Sequence, residues 1–400
     1  KLNIPVISIH GLRHTHASLL LFAGVSIASV ASTQWVNMIT AFSQEHPHFT
    51  LSCTSTKRTE LINGLPSQYS FLLAADEDIP AFYAEWFFNR LAKGYSAWTN
   101  PFNGVQSYVS YEKTRFIVFW SKNPRPLIPY LHILKEKNIK CYIQFTMNDY
   151  DDEGLEKGVP PLDERISTFK ELVNIMGIGH VIWRFDPLIL TEKIDVDTII
   201  KKIENIGNQL LGYTEKLVFS FADIQEYRKV ANNLKANHIN YRNFTFEEMN
   251  IVAERLQELN KKWNYTIATC GEKIDLDKYD IKHNHCIDDE LIARIAYNDP
   301  VLMKFLNMQL VSHFGKEFGS IVPDDAIEIN DTLYVTKKKD NKDKGQRQFC
   351  GCIVSKDIGQ YNTCPHLCEY CYANASKATA VKNWKAHKSA PFSENILGDQ

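Results

Sequence analysis

Residues 115–124 read RFIVFWSKNP, and this stretch decides the fold class. Residues 116–120 are all apolar and show no alternation with polar side chains. Such a run is typical of a strand that is buried on both faces, as in a parallel sheet covered by helices. Polar residues Ser121, Lys122 and Asn123 follow directly, where the strand is expected to end.

Similar apolar runs of strand length recur along the chain, at Cys141–Phe145, His180–Phe185, Leu217–Phe221 and Tyr265–Thr269, with a further candidate at Tyr69–Ala74. Helical patterns fill the intervals, at residues 80–93, 126–137, 163–177, 196–211, 224–236 and 246–263. This alternation predicts an α/β fold, built as a complete or partial β/α (TIM-like) barrel. A doubly wound open sheet is the competing architecture. It is less favoured because no Gly-rich dinucleotide fingerprint or P-loop follows any of the runs.

The composition describes a soluble globular protein that is long enough to bury a large core. Its 400 residues are 44% hydrophobic and 23% charged, and the net charge of −2 gives no general attraction to nucleic acid or anionic membranes. Nine cysteines are too sparse for a disulfide scaffold, and five of them lie between Cys350 and Cys371. That clustering is typical of metal ligands and predicts a reducing, cytoplasmic location without membrane association.

The N-terminal region differs from the rest of the chain. Residues 10–18 read HGLRHTHAS, which resembles one motif of the tyrosine recombinase (phage integrase) family. The resemblance implies that His10 and Arg13 match positions that contact the scissile phosphate. That chemistry also needs a nucleophilic tyrosine and further cationic groups, and these do not follow. Residues 1–32 are therefore predicted to be a catalytically dead remnant, and residues 33–75 an αβ segment of uncertain origin with a helix over 58–65.

Polar side chains lie where the predicted strands end. Lys122, Arg184, Asp186 and Glu272 each stand at or just after an apolar run. In a β/α barrel the functional groups sit on the loops that leave the carboxyl ends of the strands. We therefore predict that Lys122 and Arg184 bind a carboxylate or phosphate, while Asp186 and Glu272 hold hydroxyls or move protons. The alternative is that these residues only cap helices and form turns.

The most informative motif is CPHLCEYCY at residues 364–372. The C-x3-C-x2-C spacing directs the thiolates of Cys364, Cys368 and Cys371 toward one centre. Three thiolates leave one iron of a [4Fe–4S] cluster without a protein ligand, and this spacing, with Tyr370 before the last cysteine, is the signature of radical SAM enzymes. In that superfamily the open iron chelates S-adenosylmethionine, and an electron from the cluster cleaves the sulfonium to release an adenosyl radical. Structural zinc is the alternative.

Four other cysteines are candidates for a second site. Cys350 and Cys352 form a C-x-C pair, while Cys270 and Cys286 flank the loop after the fifth predicted strand. They are predicted either to bind a second metal or cluster or to be buried free thiols.

Residues 78–400 resemble a bacterial family known as domain of unknown function eighteen forty-eight. The matching strings are FWSKNP at 119–124, RFDP at 184–187, CIDDELI at 286–292 and CGCIVSKDIGQYNTCPHLCEYCYAN at 350–374. The resemblance implies a radical-SAM-like iron–sulfur protein with a [4Fe–4S] cluster and S-adenosylmethionine as cofactors, and a reductant such as a flavodoxin or ferredoxin as partner. It supplies no substrate. The family usually has Ser-Arg-Arg-Thr where Ala74–Glu77 stand here, so two cations are replaced by carboxylates, which weakens any anion binding at that place.

These observations predict three further segments: a barrel-like domain at 76–297, an irregular insertion at 298–345, and a cysteine-rich iron–sulfur segment at 346–400. The predicted function is radical chemistry on a small-molecule or nucleic-acid substrate. One alternative is a zinc- or cluster-stabilised binding module without turnover, in which basic residues contact nucleic acid: Lys377, Lys382, Lys385, His387 and Lys388. A second alternative is an inactive mosaic.

Overall fold

The computed structural model describes residues 61–62, 65–76, 78–100, 103–315, 321–374 and 376–398. The chain divides into two compact units, residues 1–59 and residues 60–400, and the following description concerns the second. The recombinase-like residues His10 and Arg13 lie outside the described residues.

The described strands, numbered along the chain, are β1 (Leu61–Ile62), β2 (Leu65–Tyr69), β3 (Leu72–Ala75), β4 (Tyr95–Thr99), β5 (Gln106–Ser110), β6 (Phe116–Ser121), β7 (Lys140–Thr146), β8 (Val181–Leu188), β9 (Leu190–Thr191), β10 (Lys216–Phe221), β11 (Tyr241–Arg242), β12 (Thr266–Thr269), β13 (Ile281–His283), β14 (Met308–Ser312), β15 (Ile327–Asn330), β16 (Leu333–Lys337) and β17 (Lys356–Asp357). The described α-helices are α1 (Ile79–Phe82), α2 (Ala84–Lys93), α3 (Leu131–Glu136), α4 (Leu162–Met176), α5 (Val196–Gln209), α6 (Arg228–Ala236), α7 (Phe246–Trp263), α8 (Asp289–Ala296), α9 (Pro300–Phe305) and α10 (Lys377–Ser389). Short 3-10 turns cover Arg125–Tyr130, Ile224–Glu226 and Asp277–Tyr279.

The main sheet has eight strands in the order β13-β12-β10-β8-β7-β6-β3-β17, and all neighbours are parallel. From β3 to β13 the strands follow one another in space as they do along the chain. Parallel strands bring their carboxyl ends to one edge of the sheet. Lys122 and Glu272 lie on loops at that edge, while Arg184 and Asp186 lie within β8. The predicted α/β fold with a large parallel sheet is confirmed.

The two faces of this sheet are covered by different parts of the chain. Helices α1 to α7 pack on one face, around large buried side chains such as Phe119, Phe145 and Trp183. Alternate strand residues, among them Phe116 and Tyr142, point to the other face and contact α8, α9 and residues 350–353. None of the helices in the described part of the chain combines the length and apolar character needed to cross a bilayer.

Helix α7 illustrates how local sequence sets the element boundaries. The Thr245 hydroxyl accepts a hydrogen bond from the Glu248 amide (3.2 Å), and the Glu248 carboxylate accepts one from the Thr245 amide (3.0 Å). This reciprocal capping box satisfies amide groups that have no partner inside the helix. The helix ends at Asn264, whose φ of 55° turns the chain out of the helix.

Two predictions about secondary structure were wrong. Residues 61–62, predicted as part of a helix over 58–65, form β1 and pair antiparallel with β2. The Asn63-Gly64 dipeptide favours tight hairpin turns, and this local signal outweighs the helical spacing of the apolar residues. Residues 298–345 are not irregular, because they contain α9 and the antiparallel sheet β14-β16-β15.

Candidate metal centre

Cys364, Cys368 and Cys371 are carried by one closed loop, residues 362–374, which we call the cysteine loop. The Asn362 amide donates to the Ala373 carbonyl (3.2 Å), and the Asn374 side-chain amide donates to the Cys364 carbonyl (2.9 Å). Between the first two cysteines, Leu367 adopts a φ of 55°. A left-handed backbone costs a residue with a side chain roughly 1–2 kcal/mol, so the surrounding contacts must hold this turn in place.

Two other segments anchor the cysteine loop. The Tyr83 hydroxyl donates to the Thr363 carbonyl (2.7 Å), and the Glu369 amide donates to the Leu155 carbonyl (2.9 Å). The backbone of Gly158 touches the loop so closely that a Cβ atom there would lie 2.4 Å from the His366 carbonyl oxygen. The position of the three cysteines therefore depends on the segment between β7 and α4.

The three thiols lie close enough together for the charge on one to affect the pKa of another. Burial raises the pKa of Cys364 and Cys368 above the ordinary thiol range, and the negative charges of neighbouring cysteines raise both further. Lys122 acts in the opposite direction on the pKa of Cys368. A metal that binds here must displace thiol protons, so its affinity is expected to rise with pH.

The histidine and glutamate of the cysteine loop are engaged elsewhere. The Nδ1 atom of His366 lies 2.7 Å from the Gly158 carbonyl, and its Nε2 atom lies 2.9 Å from the Asp78 carboxylate. The Glu369 carboxylate accepts hydrogen bonds from Lys377 (2.6 Å) and from the side chain of Asn237, in the loop between α6 and β11 (2.7 Å). Neither side chain is therefore placed to act as a fourth metal ligand.

Lys122 lies next to the loop with its side chain 16% exposed, and it is already paired. Its Nζ atom donates to Glu156 (2.6 Å) and to the Tyr370 hydroxyl (2.9 Å), and Arg165 lies 3.6 Å from the same glutamate. Burial alone would raise the pKa of Glu156, but the two cations outweigh it and hold that pKa below its ordinary value. An anionic ligand of Lys122, as predicted from the sequence, would have to share this cation with Glu156.

Arg184 and Asp186 form an ion pair at the end of β8. The Asp186 amide donates to the side-chain oxygen of Asn148 (2.8 Å), and the Asn148 side-chain amide donates to the Tyr370 hydroxyl (2.9 Å). The pair is thus connected through Asn148 to the cysteine loop. Both Lys122 and Arg184 are neutralised by carboxylates of the chain itself.

Glu272 lies near this ion pair. Its carboxylate accepts a hydrogen bond from the Phe221 amide (2.8 Å). Partial burial and the negative charge of Asp186 raise the pKa of Glu272 to about 7, although the Phe221 bond opposes them. A carboxyl group with this pKa exchanges protons near neutrality, which suits the acid–base role predicted for it.

The four remaining candidate cysteines also come together. The sulfurs of Cys270 and Cys286 are 3.3 Å apart, and Cys352 interacts with both Cys286 and Cys350. Hydrogen bonds from Cys270 and Cys352, together with Arg184, hold the pKa of Cys286 well below its ordinary value. The structure therefore places all four predicted residues in one group, which we call the thiol quartet.

A third group was not foreseen from the sequence. Among the described residues, His285, Asp288 and Asp289 are the only set that places three metal-binding atoms all within 4.8 Å of one another. The Lys337 ammonium lies 2.6 Å from the Asp289 carboxylate and supplies positive charge there without a metal. Both cysteine groups are more widely spread than this set.

A family model described as domain of unknown function (DUF1848) matches residues 73–373. The chain belongs to the DUF1848 family. The match starts within β3 and includes both cysteine groups and the polar residues at the strand ends. It begins before the predicted residue 78 and ends at residue 373, whereas the predicted resemblance extends to residue 400. No curated protein and no solved structure matches the chain.

Sequence reasoning missed several residues around the DUF1848 cysteine loop. Asp78, Asn148, Glu156, Gly158 and His366 contact the loop or the side chains that hold it. Only His366 had a visible signal, since it stands between two cysteines. The others lie far from the motif in sequence, and only the packing of the strand ends brings them to it.

Two of the basic residues proposed for nucleic-acid contact have other partners. Lys377 pairs with Glu369, and His387 is buried with its Nδ1 atom 2.9 Å from the Ile396 carbonyl. The set of five basic residues predicted for nucleic-acid contact is accordingly reduced to Lys382, Lys385 and Lys388.

Proposed function

We propose that this DUF1848 protein holds a [4Fe–4S] cluster on Cys364, Cys368 and Cys371 and binds S-adenosylmethionine at the iron that has no protein ligand. The observation that carries the proposal is a closed loop with three thiols whose own histidine and glutamate are bonded elsewhere. The chain supplies three ligands here and leaves one position for a small molecule.

The ligand set fits an iron–sulfur cluster better than a zinc ion. Structural zinc sites gather four ligands around one ion, commonly from paired C-x2-C turns. The C-x3-C-x2-C loop offers three thiols, and these three sulfurs do not all lie within 4.8 Å of one another. Ligands that each bind a different iron are expected to be spread in this way.

With S-adenosylmethionine bound, such a cluster supplies a one-electron reduction that starts radical chemistry. Lys122 favours the thiolate form of Cys368, and the bond from Tyr370 to Glu156 fixes the loop. Glu272 is placed to hold or release a proton at the same edge of the sheet. The strand order supports a partial β/α barrel whose carboxyl edge forms the binding mouth. A flavodoxin or ferredoxin supplies the electrons that reduce the cluster.

The test compares metal content after anaerobic reconstitution. We expect the triple variant Cys364→Ser, Cys368→Ser, Cys371→Ser to hold about four iron and four sulfide ions fewer per chain than the wild type. Cys141→Ser is the matched control, because Cys141 is a buried thiol of β7, and it should keep the wild-type content. A wild-type protein that binds zinc and no sulfide at the loop would refute the proposal.

A further inference from the structure

We infer that the thiol quartet, Cys270, Cys286, Cys350 and Cys352, binds a second metal centre that is separate from the cysteine loop. This inference does not rest on the proposed function, because the quartet uses different ligands. Its ligand chemistry is that of a thiolate-bound zinc ion or iron–sulfur cluster.

The quartet is assembled from three separate parts of the chain. Cys270 follows β12, Cys286 follows β13, and Cys350 and Cys352 precede β17. All four are free thiols, and the sulfurs of Cys270 and Cys286 are 3.3 Å apart. Convergence of four distant cysteines at one place is expected of a metal site and is not needed to fill a core.

The surroundings of the quartet supply donors to sulfur. Arg184 Nη1 lies 3.1 Å and the Asn284 side-chain amide 3.3 Å from the Cys286 sulfur, and the Ile287 amide lies 3.4 Å from the Cys352 sulfur. Such bonds are strongest when sulfur carries a negative charge, and they orient ligands around a metal. The cation of Arg184 also offsets the negative charge of a thiolate-rich centre.

Gly351 allows a close approach between the C-x-C pair and His285. A Cβ atom at this position would lie 2.0 Å from the His285 ring, so a larger residue would displace either that ring or the segment that carries Cys350 and Cys352. The segment 350–353 is packed on the sheet face opposite helices α1 to α7, and Cys350, Cys352 and Cys286 are all buried there.

Four cysteine ligands complete the coordination of either kind of centre. The quartet therefore offers no open position to a substrate, in contrast to the cysteine loop. Zinc–sulfur bonds of about 2.3 Å would place all sulfurs about 3.8 Å apart. The sulfurs of Cys270 and Cys286 are already about that close, at 3.3 Å, so this pair fits two ligands of a single metal atom.

The inference is tested by the metal content of the double variant Cys350→Ser, Cys352→Ser, with Cys141→Ser as control. We expect the double variant to lose either about one zinc ion or a set of iron and sulfide ions per chain, which tells the two centres apart. The metal bound by the cysteine loop should remain. Wild-type metal content in the double variant would overturn the inference, whatever the triple variant of the loop shows.

A second measurement on the wild type covers the case in which the double variant does not fold. Alkylation of the metal-loaded protein, read by mass spectrometry, should leave the quartet unmodified. Removal of metal with a chelator should increase the alkylation of the quartet cysteines at least tenfold. Cys141 serves as the internal control and should stay protected in both states. Equal labelling of the quartet with and without metal would contradict a metal site.

Discussion

Replacing Glu156 with alanine is expected to lower the free energy of unfolding by about 3–5 kcal/mol. The Glu156 side chain is fully buried and faces Lys122 at 2.6 Å and Arg165 at 3.6 Å. Its removal leaves Lys122 without its carboxylate partner in the interior and weakens the neutralisation of Arg165, which keeps only Asp151. A buried charge that loses its partner costs far more than an exposed one.

Urea unfolding of the wild type and of Glu156→Ala, prepared in the same way, measures this difference in the free energy of unfolding. Glu171→Ala is the matched control, because Glu171 pairs with Arg125 at the surface with both side chains nearly half exposed. The Glu171→Ala substitution should lower the free energy of unfolding by less than about 1 kcal/mol. Similar losses for Glu156→Ala and Glu171→Ala would show that the buried network does not hold the loop.

Replacing Gly158 with alanine is expected to reduce the iron held by the cysteine loop, measured against the triple cysteine variant, about tenfold or more. The added Cβ atom would lie 2.4 Å from the backbone oxygen of His366, and a backbone atom cannot rotate away as a flexible side chain can. The loop must therefore move, and the thiols of Cys364 and Cys368 on either side of His366 move with it. Overpacking of this kind also costs about 1–3 kcal/mol of stability.

Gly345→Ala separates this effect from the general effect of alanine. The nearest atom to a Cβ at Gly345 is a side-chain oxygen of Asp343 at 3.3 Å, which can shift at little cost. Iron content should match the wild type in Gly345→Ala and fall in Gly158→Ala. Equal iron content in the two variants would mean that the contact with Gly158 does not position the ligands.

The main sheet could be predicted from the sequence because its strands are buried on both faces. The run 116–120 is continuously apolar and the run 217–221 is apolar except for Ser220, and both became strands within one residue of the predicted ends. Segments with mixed patterns could not be predicted in this way. The β4–β5 pairing and the sheet β14-β16-β15 depend on contacts between strands, which the local pattern does not specify.

The ligands of the candidate site could be predicted, but their supports could not. Spacing alone singled out Cys364, Cys368 and Cys371, since these lie within one short segment. The sequence left open whether the thiols of the quartet bind a metal or are only buried free thiols. The proximity of Cys270 to Cys350 depends on how β12 and residues 350–353 pack, which the local pattern does not specify. Glu156 and Asn148 carry no sequence signal, as isolated polar residues are common in loops.

The central claim is that the cysteine loop leaves one coordination position for S-adenosylmethionine. Electron paramagnetic resonance of the anaerobically reconstituted and reduced protein tests it most directly, with spectra recorded before and after S-adenosylmethionine is added. We predict that the part of the cluster signal that is lost in the triple cysteine variant changes shape on addition, whereas a signal from a cluster in the thiol quartet would not change. A loop-dependent signal that stays unchanged at saturating S-adenosylmethionine would contradict the central claim.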